Sequence, residues 1–151
     1  MDRARSRTDA PPADRGRIFS TEQLRLSPVH ERLQLTVVRA EPGVAVLSMP
    51  LTDDIKGVYE GTVHGGMLAT FADAACASCL WGTYDFGTQL TVTTDIHVRY
   101  YRQPKGGPLI AEAKMVHKGR RLLSAECVVV DAADRVLIRS TATFMLVEAG
   151  D

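Results

Sequence analysis

One carboxylate inside a long apolar run is the first feature of this chain that chemistry could use. From Gly66 to Trp81 the sequence reads GMLATFADAACASCLW, and Asp73 is the only Asp, Glu, Lys, Arg or His between Gly65 and Tyr84. Desolvating an unpaired carboxylate is costly. Asp73 therefore lies on the one wet stripe of a helix, or pairs with an Arg from a strand, or is kept for a reaction. Burial would raise its pKa and make it a usable general base, whereas a nearby donor or a water channel would keep it ionised. Just upstream stands His64-Gly65-Gly66. Glycines where a loop becomes a helix let a ligand approach the backbone, and the first free N–H groups there carry the positive end of the helix dipole, which suits an anion. The plainer alternative is that two glycines merely permit a tight turn into the helix, with His64 as a cap or a solvated residue. HGG with an Asp nine residues after the His is a more specific pattern than either part alone.

Other candidates read as less chemical. Cys76 and Cys79 form a CxxC, but both fall in the apolar run and no second Cys or His pair has ligand spacing, so they and Cys127 read as small core residues rather than metal or redox groups. Thr93, Asp95, His97 and Arg99 alternate along a strand and are expected to share one face, where they would line a subunit interface or support the site. His30 and His117 have no obvious partner. Lys105, Lys118, Arg120 and Arg121 fall at turns, either as ordinary surface charge or as contacts for phosphate.

These residues need elements to position them. Ser20 or Thr21 is placed to cap a short helix through Glu22 and Leu24 that stops near Pro28. Leu33 to Glu41 and Val44 to Met49 are apolar or β-branched runs parted by Pro42-Gly43, which predicts a hairpin. The stretch 66–81, rich in Ala, Leu and Met and followed by Gly82, predicts a buried helix. Strands are then expected near 92–100, 109–117, 121–131 and 136–147, with short turns between them, giving an antiparallel meander. The order β-β-α-β-β-β-β is an α+β class: one long central helix against an antiparallel sheet of five to six strands.

Composition sets the limits. With 151 residues, 45% of them hydrophobic and 24% charged, the chain suits one domain burying roughly 70% of its unfolded surface. Eighteen Lys plus Arg balance eighteen Asp plus Glu, so the field that draws proteins to nucleic acid has no evident source. Three Cys argue against a disulfide scaffold and for a reducing cytoplasm. No apolar stretch predicts a secretory signal or a membrane span. Residues 1 to 17 hold five Arg, three Asp and two adjacent Pro with no large apolar residue beyond Met1, and are expected to be a disordered tail before a single domain over 18–151.

With these residues in hand, the chain resembles the hotdog-fold acyl-CoA thioesterases, in particular the phenylacetate-pathway type of the 4-hydroxybenzoyl-CoA thioesterase superfamily. The likeness covers roughly residues 30 to 147. It is carried by Gly61-Thr62-Val63-His64-Gly65-Gly66, by Leu68-Ala69-Thr70-Phe71-Ala72-Asp73, by Thr93-Thr94-Asp95-Ile96-His97-Val98-Arg99-Tyr100 and by Pro104-Lys105-Gly106-Gly107. The resemblance implies a hotdog fold, hydrolysis of an acyl-CoA to a carboxylic acid and free coenzyme A, no metal or redox cofactor, and a homodimer or homotetramer with each site built from two chains. By the same likeness the Gly65 amide is the oxyanion donor, His64 supports that loop, Asp73 is base or nucleophile, and Thr93 offers a hydroxyl that orients water or the carboxylate. Gly66, Val58, Glu60, Lys105, Gly106, Lys118 and Arg120 would face the substrate. Many relatives have Asn six residues before the His where this chain has Val58, leaving Glu60 or Tyr59 to position water, or leaving turnover low. A hotdog hydratase is a rival, but the paired Asp and His it wants are missing after Gly66. A non-catalytic acyl-CoA binding or assembly module of the same fold is the alternative from another class.

Overall fold

The computed structural model describes residues 19–150; the expected tail over 1–17 lies outside the described residues. Two short helices come first. Ser20 caps α1 (Thr21–Leu24): its Oγ accepts the Gln23 N–H at 3.2 Å and its own N–H donates to Gln23 Oε1 at 2.9 Å, a reciprocal capping box. Pro28 does not merely end this segment, as the sequence suggested. It opens α2 (Pro28–Arg32) from the first helical position, where its missing N–H costs nothing.

Strands β1 (Thr36–Glu41) and β2 (Val44–Met49) form the expected hairpin around Pro42-Gly43. Next comes α3 (Gly65–Cys79), followed by β3 (Gln89–Tyr100), β4 (Leu109–Lys118), β5 (Leu122–Val130) and β6 (Val136–Glu148). All six strands join one antiparallel sheet in the order β1-β2-β4-β5-β6-β3. Helix α3 lies across β2, β4 and β5. Both surfaces there are built from small residues: Ala72, Ala75 and Cys76 on the helix and Ala111, Ala113 and Ala125 on the strands are all buried. Small side chains let the helix settle close to the sheet, and Phe71, Leu68, Leu47 and Phe144 fill the space around that contact. No helix of the described residues is long and apolar enough to cross a membrane.

Two expectations need correction. The four strands after the helix do not form a simple meander, because β4 pairs β2 on one side and β5 on the other. Strand β3 takes the free edge of β6 instead, three strand spacings or about 14 Å from β4. The connection over residues 101–108 makes this crossing, and eight residues reach at most about 28 Å, so the loop is long enough with length to spare. The second correction concerns the faces of β3. Its register with β6 slips between Thr93 and Asp95, leaving Thr94 as an extra residue. Thr93 lies opposite buried Phe144, whereas Ile96, Val98 and Tyr100 lie opposite Ala142, Ser140 and Ile138, also buried. Thr93 therefore shares the helix side with Ile96 and Tyr100, and Asp95, His97 and Arg99 face away.

Asp131 fastens the crossing. This buried carboxylate accepts N–H bonds from Lys105 (3.2 Å), Ala133 (3.0 Å) and Arg135 (3.1 Å), and from Arg135 Nε at 2.9 Å. The Ala132 N–H donates to the Gly106 carbonyl at 3.2 Å beside it. Burial alone would push the Asp131 carboxyl up, but the bonds from the Arg135 side chain and the backbone amides outweigh it and hold the pKa well below the usual carboxylate range. A depressed carboxyl stabilises the fold above its unfolded pKa near 3.8, and that contribution is lost as pH falls below 3.8 toward the folded value. Asp131→Asn should therefore lower Tm at neutral pH and flatten the dependence of Tm on pH below about 4; an unchanged neutral Tm would show that the crossing is held by other contacts.

Candidate active site

His64 caps α3. Its backbone is extended (φ −62°, ψ 124°), its Nδ1 accepts the Gly66 N–H at 2.9 Å, and its carbonyl accepts from Met67 N–H at 3.0 Å and Leu68 N–H at 3.3 Å. Gly66 is required by this cap: a Cβ there would come within 2.9 Å of His64 Cε1. With Gly66 engaged, the Gly65 N–H is left with no partner among the described residues. It is an unsatisfied donor at the positive end of a 15-residue helix.

Two neighbours grip this turn from the β3 side, and sequence reasoning gave neither a role at the site. Tyr100 Oη donates to the Gly65 carbonyl at 2.7 Å. The Gln103 side chain takes both backbone groups of Val63, accepting its N–H at 2.8 Å and donating to its carbonyl at 3.4 Å. His64 N–H donates to the Ile55 carbonyl at 2.8 Å. The Tyr100 and Gln103 pairs join residues more than 30 positions apart, so no local signal pointed to them.

Asp73 sits two turns further along α3, half-buried, at the side of the helix that faces β3. Thr93 Oγ1 donates to its Oδ1 at 2.9 Å, and no cation forms an ion pair with it among the described residues. Burial pushes the Asp73 pKa up; the Thr93 hydrogen bond and the positive charge that His30 can carry pull it part of the way back. His30, unassigned from sequence, thus lies near the carboxylate, its Nδ1 3.0 Å from the Leu24 carbonyl oxygen. The three cysteines are buried free thiols. Burial pushes Cys79 up to about 12, and a hydrogen bond with Cys76 together with burial pushes Cys127 up as well. Both stay protonated at neutral pH and are poor nucleophiles.

Two expected pairs are thus in contact, Asp73 with Thr93 and His64 with Gly66. Others are kept apart. Gly65 and Asp73 are eight residues apart on one helix, about 12 Å along its axis and about 80° around it, too far to act on one carbonyl carbon. Val58, Tyr59 and Glu60 lie on an exposed turn, Val58 with 93% of its surface open. Lys105 and Gly106 belong to the crossing loop before β4, whereas Lys118 ends β4 and Arg120 follows it, about 30 Å away along that strand. Within one chain they do not form a single phosphate patch.

The architecture is that of a hotdog domain with a free helix-terminal amide and a hydroxyl-bound carboxylate. The sequence profile of the Thioesterase superfamily matches residues 60–138, a span holding His64, Gly65, Asp73, Thr93 and Tyr100. The "Putative esterase" of Halobacterium salinarum is 35% identical over 105 residues, covering 68% of this chain and 69% of that one. An Asn-to-Asp variant of the phenylacetic acid degradation protein PaaI from Thermus thermophilus is 27% identical, with a TM-score of 0.69 over 79% of this chain and 98% of that one. A mutant thioesterase from Pseudomonas aeruginosa superposes with a TM-score of 0.80 over 88% of this chain and 97% of its own at 17% identity, a likeness of fold. The chain belongs to the Thioesterase superfamily, and its class is that of thioesterase-type hydrolases.

The Asp73 environment can be read directly. Titrating its carboxyl by carbon NMR should give a pKa above the ordinary 3.8, and Thr93→Val should raise it further by removing a bond that favours the ionised form. A raised carboxyl pKa means a stabilising contribution present below 3.8 and lost as pH rises through the folded value, so Asp73→Asn should be at least as stable as the parent at neutral pH. A wild-type pKa at or below 3.8 would contradict this account of the site.

Proposed function

We propose that the protein hydrolyses acyl-CoA thioesters to a carboxylic acid and free coenzyme A, with each site assembled from two copies of the chain. The observation that carries the reading is Asp73: a carboxylate inside an apolar helix, bonded to a hydroxyl and, among the described residues, to no cation, which suits a base or nucleophile. Water would attack the thioester carbonyl with Asp73 as base taking its proton, the C=O π pair moving onto oxygen as the new C–O bond forms; collapse of that oxyanion then breaks the C–S bond, and the proton passes from Asp73 to the departing thiolate. Attack by Asp73 itself through a mixed anhydride is the second route, and we favour water because Thr93 already occupies one carboxylate oxygen. The oxyanion would be met by the Gly65 N–H, and one such preorganised donor is worth about 2.7 to 4 kcal/mol. His64 would hold the turn. No metal or redox cofactor enters this scheme. Lys105 and Gly106 of one chain, with Lys118 and Arg120 of the other, would reach the coenzyme A phosphates, and Val58 and Glu60 would be covered when the copies meet.

The separation of Gly65 from Asp73 supports the two-chain site, since a second copy can bring its own Gly65 to the Asp73 of the first. The surface supports it too. Thr93, Ile96 and Tyr100 stay exposed on the helix side of β3, beside Asp73, and β3 leaves an unpaired sheet edge of 12 residues among the described residues. Buried free thiols fit a reducing cytoplasm as its setting. A non-catalytic acyl-CoA module is the alternative function, favoured by Val58 at the position where many members of the resembled family carry Asn.

Release of free thiol from acyl-CoAs by the purified protein separates enzyme from binder. Asp73→Asn should keep the fold and lose kcat by orders of magnitude. Gly65→Pro removes the free N–H from the first helical position, where Pro is tolerated, and should lower kcat about 10²- to 10³-fold. Mixing the two inactive variants after dissociation should recover part of the activity, because one intact site can form in a mixed dimer. A fully active monomer would overturn the shared site, and full turnover by folded Asp73→Asn would overturn the role of Asp73.

A further inference from the structure

We infer that Tyr100 is a positioning residue for the Gly65 amide, holding the oxyanion donor in its working direction through its hydroxyl; the inference rests on the thioesterase reading of the site. The Gly65 carbonyl and the Gly66 N–H belong to the same peptide unit. Tyr100 Oη holds the carbonyl at 2.7 Å, and His64 Nδ1 holds the N–H at 2.9 Å. Two bonds on opposite sides of one peptide plane stop it from rotating. The free donor is on the preceding peptide unit, joined through the Gly65 Cα, and glycine is the residue at which such a joint turns most easily. The preceding unit is itself held through the His64 carbonyl by Met67 and Leu68. The Gly65 carbonyl also accepts the Ala69 N–H of the helix ladder, so removing the Tyr100 bond loosens the joint beside the donor without releasing it.

The ring adds a second restraint. A Cβ at Gly65 would lie 3.4 to 3.6 Å from Tyr100 Cε1, Cζ and Oη, so the phenol covers the glycine at van der Waals distance. The hydroxyl remains a donor throughout the neutral range, because burial pushes its pKa up from the usual 10. The rest of the turn does not depend on Tyr100. Gln103 fixes Val63, and the Ile55 carbonyl fixes the His64 N–H. Loss of the hydroxyl should loosen the Gly65–Gly66 peptide alone and leave the fold in place.

Tyr100→Phe tests this with its ring retained. The thermal transition should stay near that of the parent, KM should be unchanged, and kcat should fall about tenfold, the scale of one hydrogen bond acting on the transition state alone. A second measurement is independent of turnover. In proton–nitrogen correlation spectra of Tyr100→Phe, the Gly65 and Gly66 amides should shift and the bonded Gly66 amide should exchange faster with solvent, while those of Val63 and His64 stay in place. Tyr100→Leu, which removes the ring as well, separates packing from hydroxyl. Kinetic loss in Tyr100→Leu without loss in Tyr100→Phe would overturn the proposal, as would unmoved Gly65 and Gly66 amides. If the parent protein released thiol from no acyl-CoA, the thioesterase reading would fail, and the amide spectra would still decide whether Tyr100 holds the peptide.

Discussion

The carboxylate of Asp131 is what allows the chain to cross from one edge of its sheet to the middle. The loop between β3 and β4 passes the turn between β5 and β6, and at that point Asp131 binds the backbone of Lys105 on one side and the Arg135 guanidinium on the other. A buried acid is tolerable because every acceptor position it offers meets a donor. Once the loop is fastened there, Gln103 is brought against Val63 and Tyr100 against Gly65. The geometry of the helix N-terminus is thus set by a salt bridge on the opposite side of the loop, one that touches neither the helix nor any reacting group.

Helix α3 imposes the other constraint. Its small residues bring it close to the sheet, and that close contact leaves no room for a charged side chain except on the stripe facing β3. Asp73 occupies that stripe, where it is dry enough for its pKa to rise and open enough to be reached. A rigid helix also fixes the distance between its own groups. The amide at its start and the carboxylate two turns in cannot approach each other by any side-chain motion, and this is why the proposed reaction draws its parts from two copies.

Much of this was legible in the sequence. The apolar run with one Asp, the HGG before it and the β-branched alternation after it specify local structure, and local structure is where spacing speaks. Ser20 as a cap, the hairpin at Pro42-Gly43 and the pairing of Thr93 with Asp73 followed from residue types and the family likeness. The strand order did not, because a turn-like loop of Pro, Lys and Gly gives no hint that it spans two intervening strands. The partners of Val63 and Gly65 were hidden for the same reason: they are contacts between segments that only the crossing brings together. The exposed Val58, Tyr59 and Glu60 were singled out by the same likeness, and their side chains stand open on the turn.

The extra residue at Thr94 changes what β3 can do. Thr93 and Tyr100 are separated by an odd number of positions, so on a regular strand their side chains would point to opposite sides of the sheet. The bulge inserts a half-step, and both hydroxyls then turn toward α3, one to the carboxylate and one to the glycine turn. A strand read in strict alternation would serve only one of these stations. The irregularity works as a phase shifter: it lets a single edge strand address two points on one helix while returning Asp95, His97 and Arg99 to the exposed opposite face.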